Sequence, residues 1–207
     1  MRNIKFFFEG EEELGSTHID EIFKKHKDTL YLSGAESMLE KLIPYFSSFK
    51  ASPMYFSEAF KLEEKMEESE YDIIKVSTKE HCAKLFDILS SIDEFGYKSK
   101  SKEKYIEAKY NSLHMGSSYF IEEDGKIIST VSTTADTTIS AMVVAVATLE
   151  SARNRGLASI LMKHLMYEYL EVKGKYLCLF YDNPKAGNIY KRLGFKDVDR
   201  WIMSKKE

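Results

Sequence analysis

Cysteine is scarce. Cys82 and Cys178 are far apart and fall outside any Cys-x-x-Cys or Cys/His ligand spacing. That argues against a disulfide framework and a zinc site, and it leaves two buried free thiols as the expectation. A basic stripe is also missing: lysines and glutamates are interleaved and the formal net charge is -3, so no nucleic-acid partner is expected. Long apolar runs are absent as well. The run Ile4 to Phe8 is broken by Glu9 too soon for a secretion signal. No stretch is long enough to span a bilayer, so a cytoplasmic protein with no membrane partner is expected. Neither Gly-x-x-x-x-Gly-Lys-Ser/Thr nor Gly-x-Gly-x-x-Gly occurs, which argues against the common nucleotide sites. Repeats and low-complexity tracts are missing too, which excludes a solenoid.

What is present suits a folded α/β protein. The 207 residues are 43% hydrophobic, enough for one medium domain or a domain with a smaller partner. Ile4 to Phe8 reads as a strand, and Thr17 with Asp20 opens a helix carrying Ile19, Ile22 and Phe23. Leu30 to Leu32 reads as a buried strand. Ser33 with Glu36 predicts a capping box for a helix of Met38, Leu39, Leu42 and Ile43, which Pro44 ends. Pro53 to Phe56 adds a strand, giving a βαβ-like block over residues 1–70. The highly charged stretch Lys61 to Ser69 makes the best boundary. Residues 71–207 then form the second domain.

That domain opens with a strand over Tyr71 to Val76 and a helix capped by Ser77 and Glu80, with Cys82, Leu85, Phe86, Leu89 and Ile92 at helical spacing. A second helix follows, with Tyr105, Ile106, Tyr110 and Leu113 on one side. Asp124-Gly125 predicts a tight hairpin between strands over Tyr119 to Glu122 and Lys126 to Ser132. Thr137 to Thr148 reads as a central strand. Leu157, Leu161, Leu165 and Tyr169 then mark a helix, and Tyr176 to Tyr181 a buried strand. Ala186 to Leu193 is a short helix stopped by Gly194, with closing strands at Phe195 to Val198 and Trp201 to Met203.

The segment Arg153-Asn154-Arg155-Gly156-Leu157-Ala158 lies where the central strand gives way to a helix. The first turn of a helix presents N–H groups with no intrahelical acceptor, together with the positive end of the macrodipole, so it favours phosphate. Gly156 and Ala158 permit close approach, and two arginines offer forked donors. Alone, the same residues also read as the surface start of a helix, with Gly156 serving packing.

A second block follows the next strand: Asn183-x-x-Ala186-x-x-x-Tyr190-x-x-x-Gly194-Phe195. Together the two blocks, from Val146 to Ser159 and from Asn183 to Phe195, resemble the paired motifs of the GNAT N-acyltransferases in order and spacing. In detail the chain is similar to bacterial acetyltransferases and glycine N-acyltransferase-like proteins that carry an extra N-terminal α/β segment. The resemblance implies a mixed α/β (α+β) GNAT acyl-CoA N-acyltransferase fold from about residue 71, behind a small N-terminal α/β segment.

By the same resemblance the donor is acetyl-CoA, and no metal is implied. Its pantetheine arm adds to the strand edge at Val146, Ala147 and Thr148. The diphosphate lies on Arg153, Asn154, Arg155, Gly156, Leu157, Ala158 and Ser159, and Asn183, Ala186 and Tyr190 complete the donor contacts. A main-chain N–H near Val146 stabilises the oxyanion. Tyr190 stands where the family has a general acid, although a tyrosine packing a short helix is the other reading. The acceptor is a small-molecule or peptide amine, attacked directly in a ternary complex; a non-catalytic acyl-CoA-binding module is the alternative.

One departure concerns the base. Relatives often place a carboxylate on the strand that here runs from Ser140 to Val146, and none is present. Asp136, Glu122 or a water chain remain for the base, and Glu150 follows the strand. Asp93 and Glu94 stand where relatives receive the acceptor, or form a solvated loop. His81, His114 and His164 read as structural. Nothing in the sequence names the acyl chain, the amine or the oligomeric state.

Overall fold

The computed structural model describes residues 3–5, 21, 31–42, 49–63, 69–97 and 100–206. Apart from Glu21, the expected helix at Ile19 to Phe23 lies outside these residues, as do the end of the strand at Phe6 to Phe8 and Pro44. The chain forms two compact units. One comprises residues 1–57, 180–187 and 197–207, and the other residues 58–179 and 188–196.

In the first unit the strand order is β1 (Asn3–Lys5), β2 (Tyr31–Ala35), β9 (Lys196–Lys206), β3 (Phe49–Ala59). β1 runs parallel to β2, and β2 antiparallel to β9. Leu32, Leu39 of helix α1 (Glu36–Leu42) and Ile202 are buried. Phe180 stacks on Phe56 and meets Trp201, with centroids 4.9 and 5.4 Å apart.

Two expectations fail here. Ser33 does not cap α1, because it lies inside β2, paired with Lys5 and Met203, and the strand continues to Ala35 before the helix begins. The closing segment is one strand of 11 residues rather than two, since its pairing with β2 runs unbroken from Lys205 to Trp201.

The second unit has the order β8 (Tyr176–Tyr181), β7 (Ser140–Thr148), β6 (Lys126–Thr134), β5 (Ser118–Glu123), β4 (Ile74–Lys75). The strands are antiparallel except β7 with β8. Asp124 and Gly125 turn the β5–β6 hairpin with φ of 49° and 75°, the left-handed pair such a turn demands. Helices α2 (Lys79–Ser91) and α3 (Lys102–Asn111) follow β4. The α2 cap is Thr78, one residue after the expected Ser77: its Oγ1 accepts from His81 N at 3.0 Å. Cys82, Leu85, Ile88 and Leu89 of α2 pack with Phe120, Ile127 and Ala147 of the sheet. Cys82 is buried and Cys178 half-buried, both as free thiols.

Helix α4 (Leu157–Met166) buries Leu157, Leu161, Met162, Leu165 and Met166, then widens into a π-helical turn over Tyr167–Val172. Tyr169 is fully buried there, and its hydroxyl donates to Asp136 at 2.9 Å and shares a hydrogen bond with Thr133 at 2.8 Å. Glu168 accepts from Tyr119 Oη at 2.8 Å and Ser117 Oγ at 2.9 Å, and pairs with Lys173 at 2.9 Å. Burial pushes its carboxyl up, but the Lys173, Tyr119 and Ser117 contacts outweigh burial and hold it below the usual value.

Glu168→Gln is expected to lower stability by about 1–3 kcal/mol near neutral pH, measured by urea unfolding. Since the native pKa lies below the ordinary 4.5, the unfolded chain binds the proton first as pH falls. The stabilisation is present above that value and is lost as pH drops through the native pKa. The variant should therefore show a shallower acid limb than the parent.

Candidate active site

Main-chain hydrogen bonding along β7 is incomplete on both sides. Towards β6 the register runs from Met142↔Thr134 to Val144↔Ser132, then resumes at Ala147↔Thr130 and Thr148↔Ser129. Ala145 and Val146 thus face Val131 alone, which makes a bulge, and Ala145 is left-handed with φ 54°. For an L residue that conformation costs roughly 1–2 kcal/mol, because Cβ crowds the following carbonyl. Towards β8 the ladder has three pairs and stops at Met142↔Cys178. From Val143 to Thr148, β8 gives the strand no partner.

The side chains of this stretch divide between core and rim. Ala147 is buried in the core beneath α2, while Val146 and Thr148 are half-buried. Ser129 Oγ donates to the Ala147 carbonyl at 3.1 Å and shares a hydrogen bond with Thr148 Oγ1 at 2.9 Å, anchoring the strand end.

After β7 the chain makes a 3-10 turn over Glu150–Ala152 and reaches α4 through two left-handed residues, Asn154 (φ 64°) and Gly156 (φ 76°). Gly156 is the N-cap and contributes no side-chain hydrogen bond; the first helical bond runs from Ile160 N to Gly156 O at 3.0 Å. The N–H groups of Leu157, Ala158 and Ser159 therefore have no intrahelical acceptor. Leu157 itself points into the core, 1% exposed, so its main chain alone is available at this turn.

The two arginines differ. Arg153 is exposed, with Nε 3.4 Å from the Thr148 carbonyl. Arg155 forks onto Glu123, with Nη1 at 3.0 Å and Nη2 in closer contact, and Nη2 also reaches Tyr71 Oη at 3.4 Å. That hydrogen bonding holds the Glu123 carboxyl below the usual range and raises the guanidinium. A further cation, Arg192 at the end of α5 (Pro184–Arg192), donates from Nη2 to Ser159 Oγ at 2.9 Å. The sequence reading missed this residue. Its only linear signal is the Lys191-Arg192 pair, and no spacing rule links position 192 to 159.

Tyr190, also on α5, is 7% exposed; burial pushes its phenol up to about 12. Its ring meets Phe195 edge-on at 6.0 Å, and its carbonyl accepts from Phe195 N at 3.0 Å. Asn183 and Ala186 belong to the first unit, where Asn183 Oδ1 caps α5 by accepting from Lys185 N at 3.0 Å. Gly187 is required there, because a Cβ would lie 2.3 Å from the Tyr181 ring.

The expected acceptor residues are brought together in the second unit. Asp93, Glu94, Leu149, Glu150 and Arg153 line a cavity of 750 Å³. The candidate bases are engaged elsewhere: Glu122 holds Lys84 at 2.6 Å, and Asp136 holds Lys175 and Tyr169. Asp136 also precedes the first residue of β7, a strand about 25 Å long. Among the described residues no cluster of three or more His, Cys, Asp or Glu is arranged for a metal, and no helix is long and apolar enough to cross a membrane.

The fold is shared with solved acetyltransferases. A GCN5-related N-acetyltransferase from Kribbella flavida superposes with a TM-score of 0.66 and 18% identity, over 92% of this chain and 73% of that one. A GNAT-family protein from Novosphingobium aromaticivorans gives 0.59 and 16%, over 77% and 68%. A predicted acetyltransferase from Clostridium acetobutylicum, solved with acetyl-CoA, gives 0.52 and 18%, over 62% and 91%. No curated protein matches the sequence. The Acetyltransferase (GNAT) family profile matches residues 82–195, more than half of the chain. The chain belongs to that family and is an acyl-CoA-dependent N-acetyltransferase.

The bulge makes a checkable demand. Ala145→Val, β-branched at a positive φ, should cost about 1–2 kcal/mol in urea unfolding, whereas Ala145→Gly should stay within about 1 kcal/mol of the parent. Equal stabilities for the two variants would mean that Ala145 is not left-handed in solution.

Proposed function

We propose that the protein transfers an acetyl or short acyl group from acetyl-CoA to a primary amine by direct attack in a ternary complex. The observation that carries this reading is the uncapped first turn of α4, placed directly after a strand whose edge β8 leaves open from Val143 to Thr148. An amide-bearing arm can bond to an open strand edge in the manner of an added strand, here at Val146, Ala147 and Thr148. A diphosphate suits the N–H groups of Leu157, Ala158 and Ser159, with Asn154 and Gly156 shaping the approach and Arg153 adding charge. The Arg155 side chain is committed to Glu123, so its part rests on its main chain. Asn183 and Ala186 join the donor contacts on the strength of the motif in which they stand.

In the proposed reaction the amine nitrogen attacks the thioester carbonyl carbon, and the oxyanion is met by a main-chain N–H near Val146. The carbon–sulfur bond then breaks, the sulfur takes a proton from the Tyr190 hydroxyl, the amine's extra proton leaves to water, and the tyrosinate regains a proton from water. A phenol pushed up to about 12 stays protonated across the physiological range, as a proton donor must. Both side-chain base candidates already hold lysines, which favours the water route. The ammonium form of the acceptor is drawn to the cavity carrying Asp93, Glu94 and Glu150, and gives up one proton to water before the neutral nitrogen attacks.

Incubation of the protein with acetyl-CoA and a panel of amines should release free thiol only when a suitable amine is present. Binding of acetyl-CoA without release across the panel would sink the transfer reading and favour an acyl-CoA-binding module. Tyr190→Phe is expected to lower kcat at least tenfold while leaving the acetyl-CoA Kd within about twofold; an unchanged chemical step would remove Tyr190 from the proton-donor role. Asp93→Asn combined with Glu94→Gln should raise KM for the amine about five- to tenfold and leave KM for acetyl-CoA alone. A rise in the donor KM instead would move the acceptor elsewhere.

A further inference from the structure

We propose that Arg192 is a second cationic contact for the donor diphosphate, positioned by Ser159 against the first turn of α4. The inference rests on the donor site proposed above and adds a residue outside both sequence motifs' expected contacts. Ser159 is the third residue of α4, so its side chain stands beside the main-chain N–H groups that lack acceptors. Its Oγ accepts from Arg192 Nη2 at 2.9 Å, which fixes one corner of the guanidinium at that turn. The remaining donors of the fork are available, because Arg192 is exposed and pairs with no carboxylate among the described residues.

Charge accounting at the turn favours the same assignment. The motif supplies two arginines, but Arg155 is consumed by a forked pair with Glu123. Of the two motif arginines, a diphosphate at this turn would then meet the side chain of Arg153 alone. Arg192 restores the second positive charge from another helix. Its planar fork, held at one nitrogen, loses less freedom on meeting phosphate oxygens than an untethered side chain would.

The test uses the full-length protein and three donors: acetyl-CoA, acetyl-dephospho-CoA, and S-acetylpantetheine, which lacks the diphosphate. Binding of acetyl-CoA by the parent is measured first, by calorimetry; no binding there defeats the donor-site reading itself. Given binding, Arg192→Ala should weaken acetyl-CoA and acetyl-dephospho-CoA about tenfold each and leave S-acetylpantetheine unchanged. Arg192→Lys should recover part of the affinity, and Ser159→Ala should lose about threefold because the charge stays but its tether goes. Circular dichroism and the midpoint of urea unfolding should match the parent, as expected for an exposed side chain. Equal affinity in Arg192→Ala would overturn the proposal, as would a loss confined to acetyl-CoA or one that extends to S-acetylpantetheine.

Discussion

The rest of this structure depends on how β7 satisfies its main chain. A buried strand needs partners on both sides, because unpaired N–H and C=O groups removed from water are costly. β7 meets that need with β6 except at Ala145 and Val146, and with β8 for only three residue pairs. The left-handed Ala145 stores strain where the pairing is poorest. Such strain persists only when the surroundings enforce it, and here Ala147 is locked in the core while Ser129 fastens the strand end. The ladder with β8 ends at Met142, so the strand keeps an unfinished edge from Val143 to Thr148.

Electrostatics divides the second unit into groups already spent and groups still available. Arg155 and Glu123 neutralise each other, as do Lys84 with Glu122 and Lys175 with Asp136. Burial keeps the Tyr190 phenol neutral. Arg153 and Arg192 remain exposed near the α4 terminus. Like-charged groups in a sequence motif are therefore not equivalent in the fold, since a forked carboxylate contact removes most of a guanidinium's pull on an incoming anion.

Stability in this unit is anchored away from the α4 N-terminus. Glu168 and Tyr169 sit in the π-helical turn beyond the last residue of α4, where they gather Ser117, Tyr119, Thr133, Asp136 and Lys173 into one hydrogen-bonded network. The wider turn lets the chain bury a tyrosine together with its hydroxyl partners. With the network tying α4 to β5 and β6 at one end, the N-terminal end of the helix is free to keep N–H groups without acceptors.

The sequence alone determined the periodic features. The strand over Tyr176–Tyr181 was legible to the residue, and the Asp124-Gly125 hairpin and the spacing from Leu157 to Leu165 were equally clear, because each follows from local geometry. The two motif blocks, and with them the family, were legible for the same reason: they are short and contiguous. Caps were less so. Ser33 and Ser77 were plausible helix starts, but a strand ladder claimed one and Thr78 displaced the other. What only the tertiary structure decided are the relations between distant residues: the bulge at Ala145, the early end of the β7–β8 ladder, the capture of Arg155 by Glu123, and the approach of Arg192 to Ser159. Each depends on which chain segments meet, and the register or contact between two separate segments leaves no period or spacing in a single sequence.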